Sequence, residues 1–467
     1  VKKRLLVLVS AFLIVGLTLG TSYTRKAEAT VPGTNTLVSY NSTGTGPSIN
    51  HTNHPMSVSE DGNIVVFYAS ASDLVSGVTG IHLFMRNIST NSTSVVDLNT
   101  TGAPAGVSSD DTYFAMSRTG RYVAYTTTNT NIVSSPSIPA NTGSHVYLRD
   151  TLLNTSVLVD QSMAGVVGNG GALTTGAPYV TNVSDDGRFV AFSSRSNNLL
   201  ASGNPASPNY SFYPYVKDLL TGQVIMLLTS DAGVHGNLGT GGAIVNSFST
   251  CDGSKYVFRS NLTTLTPYDS GNSDSYMVDI RNGYHITNLT HETGHTISVT
   301  GISCNGKYLL VYSQDTNLTA DTVTGTISHL FRYNILANSY KLVDKSTSGY
   351  ISSTDSPSFQ GSTLAGREIS DNGRVVFIDY DTNIVSPSPS NHYEVYLSNP
   401  DAGTTELVPV NSSGVAESPG FNHSRTGLAI SVDGQNIVYS SPATNLIPGI
   451  TSGGGSPDGN VVLSKVQ

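Results

Sequence analysis

The chain is short of charge, of cysteine and of helical periodicity, and each shortage removes a class of protein. Only 12% of its 467 residues are charged. Two cysteines, Cys251 and Cys304, cannot supply a disulfide framework for a chain this long. Each stands immediately before a turn pair, Asp252-Gly253 and Asn305-Gly306, so the two hold the same place in neighbouring repeat units. Equivalent points in adjacent units are expected to lie beyond the roughly 7 Å between Cα atoms that a bridge tolerates. The reading is therefore two buried free thiols.

Beyond residue 29 no segment sustains a 3.6-residue apolar period. Short apolar runs alternate with Gly, Ser, Thr and Asn, the profile of many short strands and turns. The one long apolar run, Leu5 to Gly20, falls short of the roughly 20 residues that span a bilayer as a helix. It follows Lys2, Lys3 and Arg4 and precedes Ala27-Glu28-Ala29, which is the three-part pattern of a signal peptide over residues 1–29, with cleavage expected after Ala29. Setting those residues aside removes five basic side chains and one acidic one, leaving 18 against 31 and a net charge of −13. Such a surface repels phosphate backbones and anionic lipid, so neither a nucleic-acid partner nor a membrane surface is expected.

What the chain has in quantity is a repeat. An Asp-Gly or Asn-Gly type of turn leading into an apolar strand recurs at Gly62, Gly120, Gly187, Gly253, Gly306, Gly373 and Gly434, at spacings of 53 to 67 residues. An aromatic follows five residues later in five units (Phe67, Tyr125, Phe192, Phe258, Tyr439), with Tyr312 one place late and Phe377 one place early. That ring is expected to pack between units. Eleven residues after the glycine comes a polar-aliphatic pair such as Asp73-Leu74 or Asn198-Leu199, then an alternating strand, a tight turn and one more strand. Four strands to a unit make one propeller blade. The last unit stops at its third strand, Val461-Val462-Leu463, while Thr36-Leu37-Val38-Ser39-Tyr40 reads as the missing fourth. The fold expected over residues 30–467 is all-β: a single seven-bladed β-propeller of four-stranded blades, closed by the N-terminal strand completing the last blade.

The repeat is seen best as Ser184-Asp185-Asp186-Gly187-Arg188-Phe189-Val190-Ala191-Phe192. It resembles the WD40-like repeats of TolB-type propeller proteins, across nearly all of the chain after residue 29. The resemblance implies the fold. It implies less about activity, because this repeat occurs in scaffolds, in peptidase propeller domains and in some polysaccharide-cleaving enzymes. TolB itself carries a further N-terminal α/β domain and six blades, so the chain departs from it.

Motifs for chemistry are few. His291-Glu292-Thr293-Gly294-His295 matches the zinc-binding H-E-x-x-H, whose geometry needs a helix. Here the motif lies between strands, and Gly294 aligns with the linker glycines Gly44, Gly102, Gly165, Gly233, Gly349 and Gly414, so it reads as a linker turn. No G-x-S-x-G stretch presents a nucleophile. The Asp-rich turns at Asp110-Asp111 and Asp185-Asp186 lack alternating calcium ligands and read as turn formers. No metal and no cofactor are expected.

Tyr210, Phe212, Tyr213 and Tyr215 cluster in what reads as the longest loop of blade three, and His235, His291, Glu292 and His295 fall in linkers expected at the same end of the blades. These eight are the candidate ligand contacts. The expectation is a secreted or cell-surface, monomeric, non-enzymatic binding or scaffold protein that holds a protein or a glycan. The alternative is a polysaccharide-acting enzyme, lyase or hydrolase, with its site on the propeller face.

Overall fold

The computed structural model describes residues 34–48, 56–107, 113–139, 143–170, 179–202, 212–238, 247–281, 283–323, 325–353, 367–381, 383–385, 393–417, 427–450 and 459–466. The signal-like segment, Tyr210 and the Asp110-Asp111 turn lie outside them.

Local chemistry explains why the repeat makes a blade. In blade three the Gly187 amide donates to the Ser184 carbonyl at 2.9 Å, and Gly187 takes φ of +70° to close the turn. The Ser184 hydroxyl donates to Asp186 at 2.6 Å and accepts from the Phe189 amide at 2.8 Å, while Asp186 accepts from the Arg188 amide at 3.0 Å. Serine, aspartate and glycine at fixed offsets thus close the turn from within, through their own side chains and backbone. A Cβ on Gly187 would lie 2.6 Å from the Tyr122 ring of blade two, so the close approach of blades demands glycine as much as the turn does.

Each turn launches a second strand that pairs antiparallel with the first and third. Among the described residues six sheets have four strands; in blade six Val375–Asp379, Glu394–Asn399 and Thr404–Leu407 form three, with Ile369 bridged to Val375 at the inner position. The seam closes as the sequence indicates. Thr34–Leu37 pairs with Asn460–Lys465, Thr36 opposite Leu463, and supplies the fourth strand of blade seven. The repeat aromatics meet third-strand rings in cross-strand pairs, such as Phe192 with Tyr215 at 5.8 Å and Phe258 with Tyr276 at 5.5 Å. They face the preceding blade: Phe192 shares a buried cluster with Ala124 and Val146 of blade two, and Tyr439 one with Val376 of blade six. Both surfaces of a blade are therefore core, which decides the fate of several candidate residues below.

The turns between first and second strands converge on the ring axis. The residue after the serine or threonine in each, namely Glu60, Arg118, Asp185, Cys251, Cys304, Asp371 and Val432, reaches toward the next blade: Glu60 N donates to Arg118 O at 2.8 Å, Asp185 N to Cys251 O at 2.7 Å, and Asp371 N to Val432 O at 2.8 Å. In this inner ring the two cysteines are neighbours. They form a disulfide with Cα atoms 4.7 Å apart, which corrects the expectation of free thiols. Blades are far apart at their rims and touch at the axis, and both cysteines lie at the axis.

Candidate functional site

The structure moves three of the four blade-three aromatics out of a loop. Tyr213 and Tyr215 belong to the third strand, Tyr213–Asp218, and Phe212 directly precedes it; their exposures are 2%, 0% and 3%. Tyr215 packs on Phe192, and the Arg195 guanidinium covers the Phe212 ring at 4.2 Å. A strand buried on both faces has no wet side, so alternation here directs every ring into core. His235 also serves its own turn, its Nδ1 2.9 Å from the Thr229 hydroxyl.

The linker from blade four to blade five differs from all the rest. The other six close on an isolated bridge, as in Leu98 with Pro104 or Lys345 with Ile351. This one forms a single helical turn, Leu289–Thr293, where the sequence reading expects no helix. The Asn288 side chain caps it by accepting from the His291 amide at 3.0 Å, and Gly294 ends it at φ of +66°. Both caps are visible in the sequence. The turn is too short for any apolar period to mark it.

Because the turn ends at Gly294, the two histidines of the H-E-x-x-H match part company. His291, on the turn, lies flat on Tyr268 of blade four, ring centroids 3.8 Å apart and planes 2° from parallel. His295, past the turn, directs Nδ1 to Asp315 Oδ2 at 3.2 Å and meets the edge of Tyr340 of blade five at 5.7 Å. Each ring has its own partner, and no grouping of metal-ligand side chains among the described residues includes either. The one such grouping, Asp185, Cys251 and Cys304, has its two sulfurs bonded to each other.

Beside the Tyr268–His291 stack lies a groove of about 620 Å³. Its walls are Asp231 from the preceding linker, Leu265, Pro267 and Tyr268 from blade four, His285 from the outermost strand, and Glu292 from the helical turn. Tyr268 is 57% exposed. The wall is braced: Asp231 accepts from the Ile286 amide at 2.8 Å and contacts His285 Nδ1 at 2.9 Å. The Tyr284 hydroxyl, half enclosed by the linker, donates to Leu227 O at 2.6 Å and accepts from the Thr229 amide at 3.1 Å. Burial holds that phenol well above its ordinary range, so it stays neutral and keeps its proton to donate. The Glu292 carboxylate makes no hydrogen bond or ion pair to the described residues.

Two other places gather charged side chains. A groove of about 350 Å³ between blades five and six contains Lys341 and Lys345, each already paired, with Asp401 and Asp321. At the axis Arg118 bridges Glu60 (3.4 Å) and Asp185 (2.9 Å), and Arg367 of blade six crosses to the Met116 carbonyl of blade two. The surrounding protein lowers the Arg367 guanidinium to about 10, against the opposing charge of Asp185. These charges serve one another across the ring.

No protein-family model matches the chain, and no curated protein matches it. Solved structures similar to it include oligogalacturonate lyase from Vibrio parahaemolyticus, with a TM-score of 0.47 and 11% identity over 94% of this chain and 98% of that one. They also include the β-propeller domain of the Trilobed protease from Pyrococcus furiosus, with a TM-score of 0.41 and 10% identity over 83% of this chain and 90% of that one. TolB from Acinetobacter baumannii gives a TM-score of 0.33 and 14% identity over 83% of this chain and 76% of that one.

Proposed function

We propose that the chain is an extracytoplasmic, non-enzymatic binding or scaffold propeller, and that it holds a protein or glycan partner in the groove beside Tyr268. The observation that carries this is the departure of one linker from six like ones. In a repeat protein a unit that abandons the shared solution gives up a satisfied local structure, and the places where local rules fail are where function is expected. Here the departure projects His291 and Glu292 beside the exposed Tyr268 ring and borders a braced groove of a size that suits ligands. Placement outside the cytoplasm has two supports. One is the signal-like pattern of residues 1–29, and the other is the Cys251–Cys304 disulfide, a bond that persists in oxidising compartments.

The test is capture of partners from the envelope and medium of the producing organism on the immobilised chain, beside a Tyr268→Ala, His291→Ala double variant. A partner retained by the first and lost by the second is the expected result. Turnover of any polysaccharide or peptide by the purified chain would overturn the non-enzymatic reading.

A further inference from the structure

We propose that the groove takes a glycan without negative charge, a neutral or amino-bearing hexose chain; this rests on the binding reading above and names the ligand class. The first ground is the stack. His291 backs one face of Tyr268 with centroids 3.8 Å apart, which fixes the phenol in one plane although 57% of the residue is exposed. A fixed aromatic plane packs against the C–H face of a pyranose with little further loss of side-chain freedom.

The second ground is the kind of polar group in the walls. Besides the apolar Leu265, Pro267 and Ile286, the lining includes the hydroxyls of Ser230, Thr264, Thr266 and Thr287, which donate and accept, while the Asn288 amide is committed to the helical turn and to Asp269. That inventory matches sugar hydroxyls. A protein partner of ordinary size needs a broad patch with apolar anchors at its centre. Of the large exposed apolar side chains among the described residues, Tyr268 alone lines this groove; Val234 belongs to the neighbouring linker, and Leu152, Leu220 and Leu336 lie in other blades.

The third ground is charge. Among the described residues the groove is lined by two carboxylates, Asp231 and Glu292, one histidine and no lysine or arginine. Asp231 is engaged with His285 and the Ile286 amide, while Glu292 is left to accept from a hydroxyl or an ammonium. A uronate chain would bring a carboxylate at every residue into a site with no cation to receive it, on a chain whose net charge is −9.

Affinity gel electrophoresis of the full chain and of Tyr268→Ala tests this, with a neutral β-glucan, glycol chitosan or polygalacturonate cast in the gel and 0.3 M salt to suppress bulk charge attraction. Thermal unfolding first confirms that the variant folds. The expected result is retardation by the β-glucan or glycol chitosan, weakened at least tenfold in Tyr268→Ala, with polygalacturonate binding at least tenfold more weakly than either. Retardation by polygalacturonate of equal strength overturns the proposal, and so does retardation that Tyr268→Ala leaves unchanged. If no polymer binds while a captured protein is still lost in the Tyr268 variant, the glycan assignment fails and the binding reading stands. If neither occurs, both fail.

Discussion

Cys251 and Cys304 are 53 residues apart in sequence and 4.7 Å apart at Cα, and the Cys251 amide donates to the Cys304 carbonyl at 3.0 Å. The bond therefore crosses from blade four to blade five where the two turns already touch. Closing a loop of that length removes unfolded-state entropy worth about 4 kcal/mol in the chain-entropy account. Because the turns are also tied by hydrogen bonding, Cys304→Ser is expected to lower unfolding free energy by about 2–4 kcal/mol. Urea unfolding with and without a thiol reductant measures it. An unchanged midpoint would mean that the inner ring of hydrogen bonds alone fixes these blades.

That bond also marks the limit of what the chain discloses before it folds. Repeat spacing, turn glycines, strand aromatics and the seam strand are all legible, because each expresses a local rule: a positive φ at Gly187, a ring facing the neighbouring blade at Phe192, a missing strand answered by Thr36-Leu37-Val38. The radius at which a residue lies is not local. Two positions equivalent in sequence are distant at the rim and adjacent at the axis, so spacing alone did not pair the cysteines. The same blindness applied to Tyr213 and Tyr215, whose alternation is that of a strand but whose burial depends on neighbours on both sides. His291 and Glu292 were picked from the sequence, whereas Tyr268, their partner in the groove, belongs to a loop of the preceding blade and carried no mark.

Acid should loosen the hairpin ends of the blades. Arg188 holds Asp218 with two hydrogen bonds, Nε to Oδ1 at 2.8 Å and Nη2 to Oδ2 at 2.7 Å, and lowers its carboxyl from 3.8 to about 2. Asp150, held by Arg121, shifts in the same direction. A folded-state value below the unfolded one means stabilisation that is complete above the ordinary carboxyl range and is lost as pH falls through about 2. Asp160 and Asp344 work in the opposite sense, since burial raises them. The informative quantity is thus the difference between the native chain and Asp218→Asn: the thermal midpoints should be separated at pH 5 and converge by about pH 2.

A recurrent buried pair gives a sharper test of packing. His82–Asp97, His145–Asp160 and His329–Asp344 each join Nδ1 to a carboxylate at 2.7 to 2.8 Å, always 15 residues apart. In each, the other carboxylate oxygen caps the amide that follows the histidine, as Asp344 caps Leu330 at 3.2 Å. Asp344→Ala would strand two buried donors at once and is expected to destabilise by about 2–5 kcal/mol. Asp344→Asn keeps an acceptor and should lose less. Denaturant midpoints of the two variants order them, and equal losses would mean that charge, not hydrogen bonding, is what the site requires.

The seam offers the test of the ring as a whole. Leu37 and Val38 are buried, the Val38 amide donates to Val461 O at 2.8 Å, and the Asn35 amide group reaches Val410 O of the preceding linker at 2.7 Å. Deleting residues 34–41 uncovers those contacts, at about 2 kcal/mol for each large apolar side chain, and leaves Asn460–Lys465 as an unpaired edge rich in valine and leucine. Such a variant should unfold earlier and associate as its concentration rises, which light scattering detects. Thr34 lies opposite Lys465 in an antiparallel ladder, so the same segment can follow the C-terminus through a two-residue Asn-Gly hairpin. That rearranged chain restores the strand without restoring the N-terminal connection. It should recover the thermal midpoint, whereas a chain that stays destabilised would show that the covalent link from the strand into blade one, and not the strand pairing, closes the propeller.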